Sequence, residues 1–452
     1  MLYAVCLSAA IFLVSITTVI SSTITVTTIN GPLIGKEITL QYDIPNRNVP
    51  VKLNRFLGIP YAKPPVGKLR FRRPIPLIGR SWPGVLNATT WPNNCVQKEL
   101  LIDFYQNKNF TEDCLFLNVW SPNVNTAQKL PVLVWIHGGS FYYGGSSFDF
   151  YNGETLAAMT NSVVVTFNYR VSTLGFLTTN EDLANGNQGI WDQVEVLRWV
   201  QTNIAHFGGN RDQVTIMGES AGSQSVSLHI LSPVSHSLFS KAIMMSGSAL
   251  FKVVSSQKTM NAHFIAAIGQ AVPECSPAKK EKIISKKVVD CLRKASPERV
   301  DQVAHLMRNK IDYHELVVVD GDFLPEEPKS LLLKGSHKRD LTLLASTVED
   351  EGAFFLVPSG HNSKFSWNSN EAITKDEAEN YFLDFMSTEI LPKEKLPLSR
   401  KTVKEMYFSG NINSSSDALK KRVTVAYGDA YFGCPTMEYT KALFRSTPDT
   451  VT

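Results

Sequence analysis

Residues 213–222 read QVTIMGESAG, and this stretch decides the fold. Residues 214–217 are a short apolar run typical of a buried strand, and residues 223–231 carry apolar side chains at helical spacing. The pattern therefore predicts a strand, a tight turn and a helix, with Ser220 at the tip of the turn. A serine at such a tip is held at strained dihedrals with its hydroxyl exposed.

The neighbours of Ser220 suit a nucleophile. Gly218 and Gly222 stand two places before and two places after it, where a Cβ atom would clash in so tight a turn. The N–H of Ala221, at the start of the predicted helix, can donate to an oxyanion as the serine attacks a carbonyl. Ser220 is therefore the candidate nucleophile, although G-x-S-x-G taken alone also fits an inert serine in a Gly-rich turn.

A second Gly-rich segment follows another predicted strand. Residues 130–136, LPVLVWI, form a continuous apolar run, as expected of a strand buried on both faces of a parallel sheet. The run leads directly into His137, Gly138 and Gly139, where backbone N–H groups can point into a cavity. The two segments together favour an oxyanion hole over a flexible turn.

The rest of the chain alternates strands with helices, apart from an ordered loop predicted over residues 54–73. Further strands are predicted at residues 162–169, 242–246 and 341–346, and helices at residues 190–207 and within 261–308. This order predicts an α/β fold with a central, mostly parallel sheet flanked by helices. We expect a single domain from residue 23 to residue 452.

Composition and charge exclude some functions. The 452 residues carry a net charge of +4 and a pI near 8.6. No Lys/Arg-rich run with aromatics is present, so a nucleic-acid partner is not expected. We expect no cofactor and no metal ion.

The N-terminal residues predict secretion. Residues 1–22 carry no charged side chain and end in small residues, which predicts a signal peptide cleaved near Ser21 or Ser22. An uncleaved membrane anchor is the alternative, since the usual N-terminal Lys or Arg is lacking. No later apolar run is long enough to span a membrane. Acceptor sequons for glycosylation begin at Asn87, Asn109 and Asn413, as expected of an extracellular protein.

The cysteine count is odd once the leader is removed. The chain has 6 cysteines, and cleavage would remove Cys6. Pairs close in sequence are the economical choice, and a loop the size of the one from Cys95 to Cys114 gains about 3 kcal/mol in the chain-entropy model. Cys434 then remains either as a buried free thiol or with a partner beyond the end of this chain.

Several stretches together resemble one family. EDCLFLNVWSP, FLGIPYAKPPVGKLRF, WIHGGSF, NYR followed by TLGFL, and GNQGIWDQ followed by LRWVQTNIAHFGGN are similar, in order, to the type-B carboxylesterase and cholinesterase group. The resemblance runs from about Gly31 to the last residue. It implies the α/β-hydrolase fold and hydrolysis of small-molecule carboxylic esters through an acyl-enzyme on Ser220.

The resemblance also implies roles for single residues. It gives oxyanion donors at Gly138, Gly139 and Ala221, disulfides from Cys95 to Cys114 and from Cys275 to Cys291, and a salt bridge from Arg70 to Glu112. Aromatic side chains of a substrate gorge are implied at Phe354 and Phe355, and one of the acyl pocket at Tyr313.

The catalytic acid is sought in residues 348–352, VEDEG, because triad carboxylates of this fold follow the serine at a later strand end. Position alone leaves Glu349 and Asp350 as rivals. The resemblance selects Glu351, whereas a solvated turn is the alternative interpretation of the acidic cluster.

Two departures from the family count against choline esters. The loop from Cys95 to Cys114 contains no tryptophan to stack on choline, and the third oxyanion glycine is Ser140 here. The side chain of Ser140 is expected to narrow the pocket. Phe354 can still offer a cation–π face, which keeps a cholinesterase activity among the alternatives.

The catalytic base is a third departure. The only histidine after Glu351 is His361, and its spacing does not fit the family, where the base follows the acid by roughly a hundred residues or more. We therefore expect a C-terminally truncated isoform or fragment that turns over esters far more slowly than an intact relative. A non-catalytic cholinesterase-like binding or adhesion protein, or a secreted ligand-binding decoy, are the alternatives to a secreted serine esterase.

Overall fold

The structure of the chain is a computed structural model that describes residues 16–42, 50–98, 102–125, 127–179, 183–251, 253–278, 281–308, 316–356, 363–366, 369–385, 400–409 and 415–446. The strands in these ranges are β1 Ile16–Thr28, β2 Gly31–Tyr42, β3 Val51–Pro60, β4 Leu86–Asn87, β5 Asn94–Cys95, β6 Phe110–Thr111, β7 Phe116–Ser121, β8 Leu130–Ile136, β9 Val163–Phe167, β10 Gly209–Glu219, β11 Lys241–Met245, β12 Val254–Ser255, β13 Val317–Val318 and β14 Thr342–Ser346. The helices are α1 Glu154–Thr160, α2 Ser172–Phe176, α3 Gln188–Asn203, α4 Ala221–Leu231, α5 Gln257–Ala271, α6 Lys286–Leu292, α7 Pro297–Arg308, α8 Pro328–Leu333, α9 Lys375–Phe385, α10 Arg400–Phe408, α11 Ser416–Gly428 and α12 Cys434–Ser446.

One large sheet organises the molecule, in the order β1-β2-β3-β7-β9-β8-β10-β11-β14, with β4 beside β2. Neighbouring strands are antiparallel from β1 to β9 and parallel from β9 to β14. The sheet is therefore mixed, and the predicted parallel arrangement is found in the half that carries Ser220. Helices α1, α3 and α4 form crossovers between the parallel strands.

Strand β9 is buried because both faces of the sheet are covered at its position. All five residues of β9, VVVTF, are buried. The side chains of Val163 and Val165 pack into the larger hydrophobic core, and that of Val164 packs into the smaller core with Trp120 and Leu40. Burial on both faces explains why β9 is a nearly continuous apolar run, whereas only alternate residues of β8 are fully buried and the edge strand β14 has no buried residue.

The predicted loop over residues 54–73 is wrong for its first part, because residues up to Pro60 belong to β3. The register of β3 against β7 shifts between Phe56 and Ile59, and Gly58 lies there with φ of 71°. Its glycine thus marks a bulge within a strand rather than the end of one.

At the N-terminus, β1 begins at Ile16, inside the predicted leader, and pairs with β2 as far as Tyr42. Cleavage of a signal peptide stays a prediction. None of the helices in the described ranges is long and apolar enough to cross a membrane.

Covalent and ionic links agree with the resemblance. The disulfides Cys95–Cys114 and Cys275–Cys291 are both present, with Cα–Cα distances of 4.9 and 5.5 Å. Cys434 is a free thiol at the start of α12, and it is exposed rather than buried.

The predicted salt bridge is bidentate, since Arg70 Nε and Nη2 lie 2.6 and 2.5 Å from the Glu112 carboxylate oxygens. Arg70 Nη1 also donates to the carbonyls of Leu292 and Ala295, just beyond the second disulfide. The guanidinium therefore joins the two disulfide-bonded regions.

Candidate active site

Ser220 lies in the turn between β10 and α4, with φ of 56° and ψ of −121°. Such a conformation costs a non-glycine residue on the order of 1–3 kcal/mol. The Ser220 N–H donates to the Met245 carbonyl at 2.9 Å, and the Ser220 carbonyl accepts from the Gln224 N–H at 2.9 Å. The neighbouring strand and the following helix therefore hold the turn in its strained form, as the sequence predicts.

The glycines of this turn are required by close backbone contacts. A Cβ atom on Gly222 would lie 2.0 Å from the Ile136 carbonyl oxygen, and one on Gly218 would lie 2.5 Å from the Gly222 carbonyl carbon. Backbone atoms cannot yield as a flexible side chain can. These contacts bring the end of β8 against the start of α4.

The Gly-rich end of β8 consequently lies beside the nucleophile. A Cβ atom on Gly138 would lie 3.3 Å from the Ser220 Cβ and 2.8 Å from the Glu219 carbonyl oxygen. The structure thus brings together the two segments that the sequence analysis singled out.

The peptide groups after Gly138 have fixed directions. The Gly138 carbonyl accepts from His137 Nδ1 at 2.8 Å, and the Gly139 carbonyl accepts from the backbone N–H groups of Tyr142 and Tyr143 at 3.0 and 3.1 Å. Because C=O and N–H of one trans peptide point in opposite directions, these bonds set where the Gly139 and Ser140 N–H groups point. Ser140 has a φ of 56°, a backbone conformation that residues other than glycine rarely adopt.

Tyr151 lies beside the Gly138 backbone, and its ring contacts that of Trp135 in β8 with centroids 5.2 Å apart. Burial, together with the charge of Glu219, raises the pKa of Tyr151 to about 12. The N–H of Ala221 belongs to the first turn of α4, next to the serine. Donation to an oxyanion by Gly138, Gly139 and Ala221 stays a prediction.

Glu351 begins a 3-10 helix, Glu351–Leu356, shortly after β14. Its carboxylate accepts a hydrogen bond from the Val348 N–H at 2.9 Å. The next residue, Gly352, packs so closely on α11 that a Cβ atom would lie 1.9 Å from the Thr424 carbonyl oxygen. Of the two rivals, Glu349 is exposed and Asp350 forms an exposed ion pair with Lys421, whereas Glu351 is half-buried.

Glu219, which directly precedes Ser220, is not among the residues that the sequence analysis selects. Its carboxylate is influenced by the charge of Glu351. One side of Glu219 is open to solvent, yet desolvation by the surrounding protein raises its pKa from 4.5 to about 7. The charge of Glu351 adds to this rise. β10 and β14 both run parallel to β11 and end in register with it, so the two carboxylates follow strands that end at the same edge of the sheet. Adjacency to Ser220 was the only sequence signal for Glu219.

The described part of the chain places no histidine ring in hydrogen-bonding contact with the Ser220 hydroxyl. The buried ring of His137 is held by the Gly138 carbonyl. That of His229 lies between the side chains of Gln193 and Ser235. The described residues therefore do not identify a general base.

Several predicted residues cannot be placed. Tyr313, His361 and Asn413 lie outside the described residues. The backbone of Phe354 and Phe355 belongs to the 3-10 helix after β14, but their side chains are not described.

The other two sequons are accessible. Asn87 and Asn109 are exposed, and the Thr89 hydroxyl donates to Asn87 Oδ1 at 2.7 Å. Glycosylation of these sites stays a prediction.

An aromatic cluster leads from the surface to the site. Phe104, in the first disulfide loop, stacks on Phe150 with ring centroids 5.4 Å apart, and both contact Phe148. Phe148 in turn contacts Tyr151 at 5.4 Å. Phe150 is 71% exposed, so the cluster presents an open aromatic surface next to the first disulfide loop.

Comparison with known proteins agrees with this geometry. The model of the carboxylesterase family matches residues 22–450. The chain is 39% identical to "Acetylcholinesterase 1" of Caenorhabditis elegans over 337 residues, which cover 72% of this chain and 53% of that protein. It is 38% identical to "Cholinesterase" of Mus musculus over 408 residues, which cover 85% and 63%. It is 41% identical to "Cocaine esterase" of Homo sapiens over 313 residues, which cover 67% and 53%.

The matched regions thus span only 53% to 63% of these relatives. Within this chain, however, the family model extends from before β2 to beyond α12. The strained serine turn, the Gly-rich strand end and the acid after β14 all lie inside the match. The chain therefore belongs to the carboxylesterase family and has the α/β-hydrolase fold.

Proposed function

We propose that this chain is a serine hydrolase of carboxylic esters that acts through an acyl-enzyme on Ser220. The observation that carries the proposal is the strained Ser220 turn, held against the Gly-rich end of β8. Ser220 Oγ attacks the ester carbonyl, the alcohol leaves, and water then releases the acid from the serine. We assign Glu351 the place of the acid in the triad, in the segment that follows β14.

A serine hydroxyl is a poor nucleophile near neutral pH without an imidazole to take its proton. Since no described histidine contacts Ser220, we expect slow reaction in plain buffer and faster reaction when imidazole is added. The same observation favours a second candidate, a non-catalytic cholinesterase-like binding or adhesion protein.

The substrates are proposed to be small, uncharged acyl esters. The first disulfide loop has no tryptophan and instead contributes Phe104 to the aromatic cluster. The acidic group nearest the serine, Glu219, has a pKa of about 7 and so carries only part of a negative charge near neutral pH. Both features favour apolar alcohols over quaternary ammonium alcohols.

Secretion is part of the proposal. The uncharged N-terminal segment, the two disulfides and the exposed sequons at Asn87 and Asn109 support an oxidising, extracellular setting.

The test is hydrolysis of 1-naphthyl acetate by the chain purified from a secreting host, with and without imidazole. Ser220→Ala is the control variant, because it removes one oxygen and leaves the turn. After the rate with imidazole alone is subtracted, we expect hydrolysis that rises with imidazole in the parent and is absent in the variant. Equal rates in the two proteins would support the binding or adhesion protein instead.

A further inference from the structure

Gln97 lies in the first disulfide loop, and its amide makes every hydrogen bond that an amide can make. Its Oε1 accepts from the Gly144 N–H at 2.7 Å and from the Tyr105 hydroxyl at 3.4 Å. Its Nε2 donates to the carbonyls of Gly144 and Cys95 at 2.8 and 3.0 Å. The residue is only 6% exposed, so these bonds form away from solvent.

Gly144 packs against the imidazole of His137. It has a φ of 116°, and a Cβ atom there would lie 2.4 Å from His137 Nδ1. Because Gln97 binds both the N–H and the C=O of Gly144, it sets how that backbone packs against the imidazole.

His137 is fully buried and also contacts Tyr169. Their rings stack with centroids 4.1 Å apart, and the Tyr169 hydroxyl donates to the His137 carbonyl at 2.8 Å. A carbonyl only accepts, so the bond from Nδ1 to the Gly138 carbonyl requires the proton on Nδ1. Burial lowers the pKa of His137 to about 4, which keeps the ring neutral. The Gly138 carbonyl shares a peptide with the Gly139 N–H, so the ring sets the direction of that donor.

We infer that Gln97 is a positioning residue that holds Gly144 on His137 and thereby aims the Gly139 N–H at the reacting carbonyl oxygen. The inference rests on the proposed function of Ser220. It connects the Cys95–Cys114 loop, through side-chain and backbone contacts, to the oxyanion side of the site.

The test compares two buried glutamines. Gln97→Met keeps the length of the side chain and removes the amide with its hydrogen bonds to Gly144, Cys95 and Tyr105. Gln188→Met is the matched control, because the Gln188 amide donates to the buried carbonyls of Phe71 and Leu177 and makes no bond to the oxyanion segment. Both proteins and the parent are treated with a fluorophosphonate probe at fixed imidazole, and labelling of Ser220 is followed over time.

We expect the maximal labelling rate of Gln97→Met to fall by about 10-fold, less than the 10²–10³ seen when a donor is removed outright, because the donor is misaligned and not lost. The probe concentration that gives half of the maximal labelling rate should stay within about twofold of the parent's, because the defect acts on the transition state and not on probe binding. Gln188→Met should keep the parent's maximal labelling rate and its half-saturating probe concentration. An equal rate loss in both variants, no loss in either, or a change confined to half-saturation would overturn the inference.

Amide hydrogen exchange of residues 138–145 gives a readout that needs no reaction at Ser220. Exchange in this segment should accelerate by about 10-fold in Gln97→Met and stay unchanged in Gln188→Met. If the parent is not labelled at Ser220, the proposed function fails and exchange alone decides. Unchanged protection in Gln97→Met would then contradict the inference.

Discussion

Ser220 keeps its unusual backbone angles because backbone atoms surround it at contact distance. The Met245 carbonyl and the Gln224 N–H hold its own peptide groups, and the Ile136 carbonyl presses on Gly222. Strain of on the order of 1–3 kcal/mol persists only where the surroundings determine the conformation in this way.

Gly222→Ala tests this packing directly. The new Cβ atom would lie 2.0 Å from a backbone oxygen, so we expect a loss of stability of about 1–3 kcal/mol or more and no reaction at Ser220. Gly433→Ala is the control, because its Cβ atom would meet nothing closer than Asp429 Oδ1 at 3.3 Å. Urea unfolding of both variants gives the comparison, and equal midpoints would contradict the close contact.

Glu219 predicts a pH dependence of stability. In the unfolded chain this carboxyl ionises near pH 4.5, whereas in the folded protein it keeps its proton up to about 7. Between these values the folded state binds more protons, so this group's contribution to stability falls as the pH rises from 4.5 to 7.

Glu219→Gln removes that contribution. Relative to the parent, the variant should therefore become more stable with rising pH across this window, by an amount that solvent exposure reduces. Urea unfolding at pH 5 and pH 7.5 measures the difference, with the exposed Glu349→Gln as control. Parallel pH profiles for parent and Glu219→Gln would show that Glu219 titrates normally.

The sequence predicts those site residues that belong to a short, contiguous motif. Ser220, Gly218 and Gly222 stand in one short motif, and each is where the motif predicts. The role of Gln97 depends on contacts between segments distant in sequence, which no local pattern encodes.

Among the elements, strands with continuous apolar runs were predicted best. Residues 130–136 form β8 as predicted, and the turn between β10 and α4 is where GESAG indicates. Two features escaped prediction for physical reasons. The Gly58 bulge disguises β3 as a loop, and the antiparallel pairing of β1 to β9 depends on partners rather than on composition.

Cysteine chemistry can be tested at the level of these elements. Cys434 opens α12, and desolvation together with nearby Asp429 and Glu438 raises the pKa of its thiol, so it should react slowly but remain accessible. Peptide mapping without reduction should find the disulfides Cys95–Cys114 and Cys275–Cys291. Among these five cysteines, a thiol reagent should modify Cys434 alone. A bond from Cys434 to any of those four residues would refute this arrangement.

At the scale of the whole molecule, a site assembled from β8, β10 and the segment after β14 brings together residues that lie far apart between positions 130 and 356. Family membership follows from the matched model, but a match to 53% to 63% of each relative leaves activity and substrate to experiment.

The aromatic cluster and the missing tryptophan predict substrate preference. After the rate of imidazole alone is subtracted for each ester, naphthyl or nitrophenyl acetate should be hydrolysed faster than acetylthiocholine, because no indole is present in the first disulfide loop to stack on the cation. A clear preference for acetylthiocholine would contradict the uncharged-ester proposal.

Mapping the residue that reacts with a fluorophosphonate probe tests the central claim, that Ser220 is an activated nucleophile in a preformed site, most directly. The secreted chain is incubated with the probe at increasing imidazole, and the modified peptide is identified by mass spectrometry. The geometry predicts slow labelling in buffer, acceleration by imidazole, one label per chain on Ser220, and none in Ser220→Ala. Labelling that is spread over several serines, or that persists unchanged in Ser220→Ala, would contradict the account.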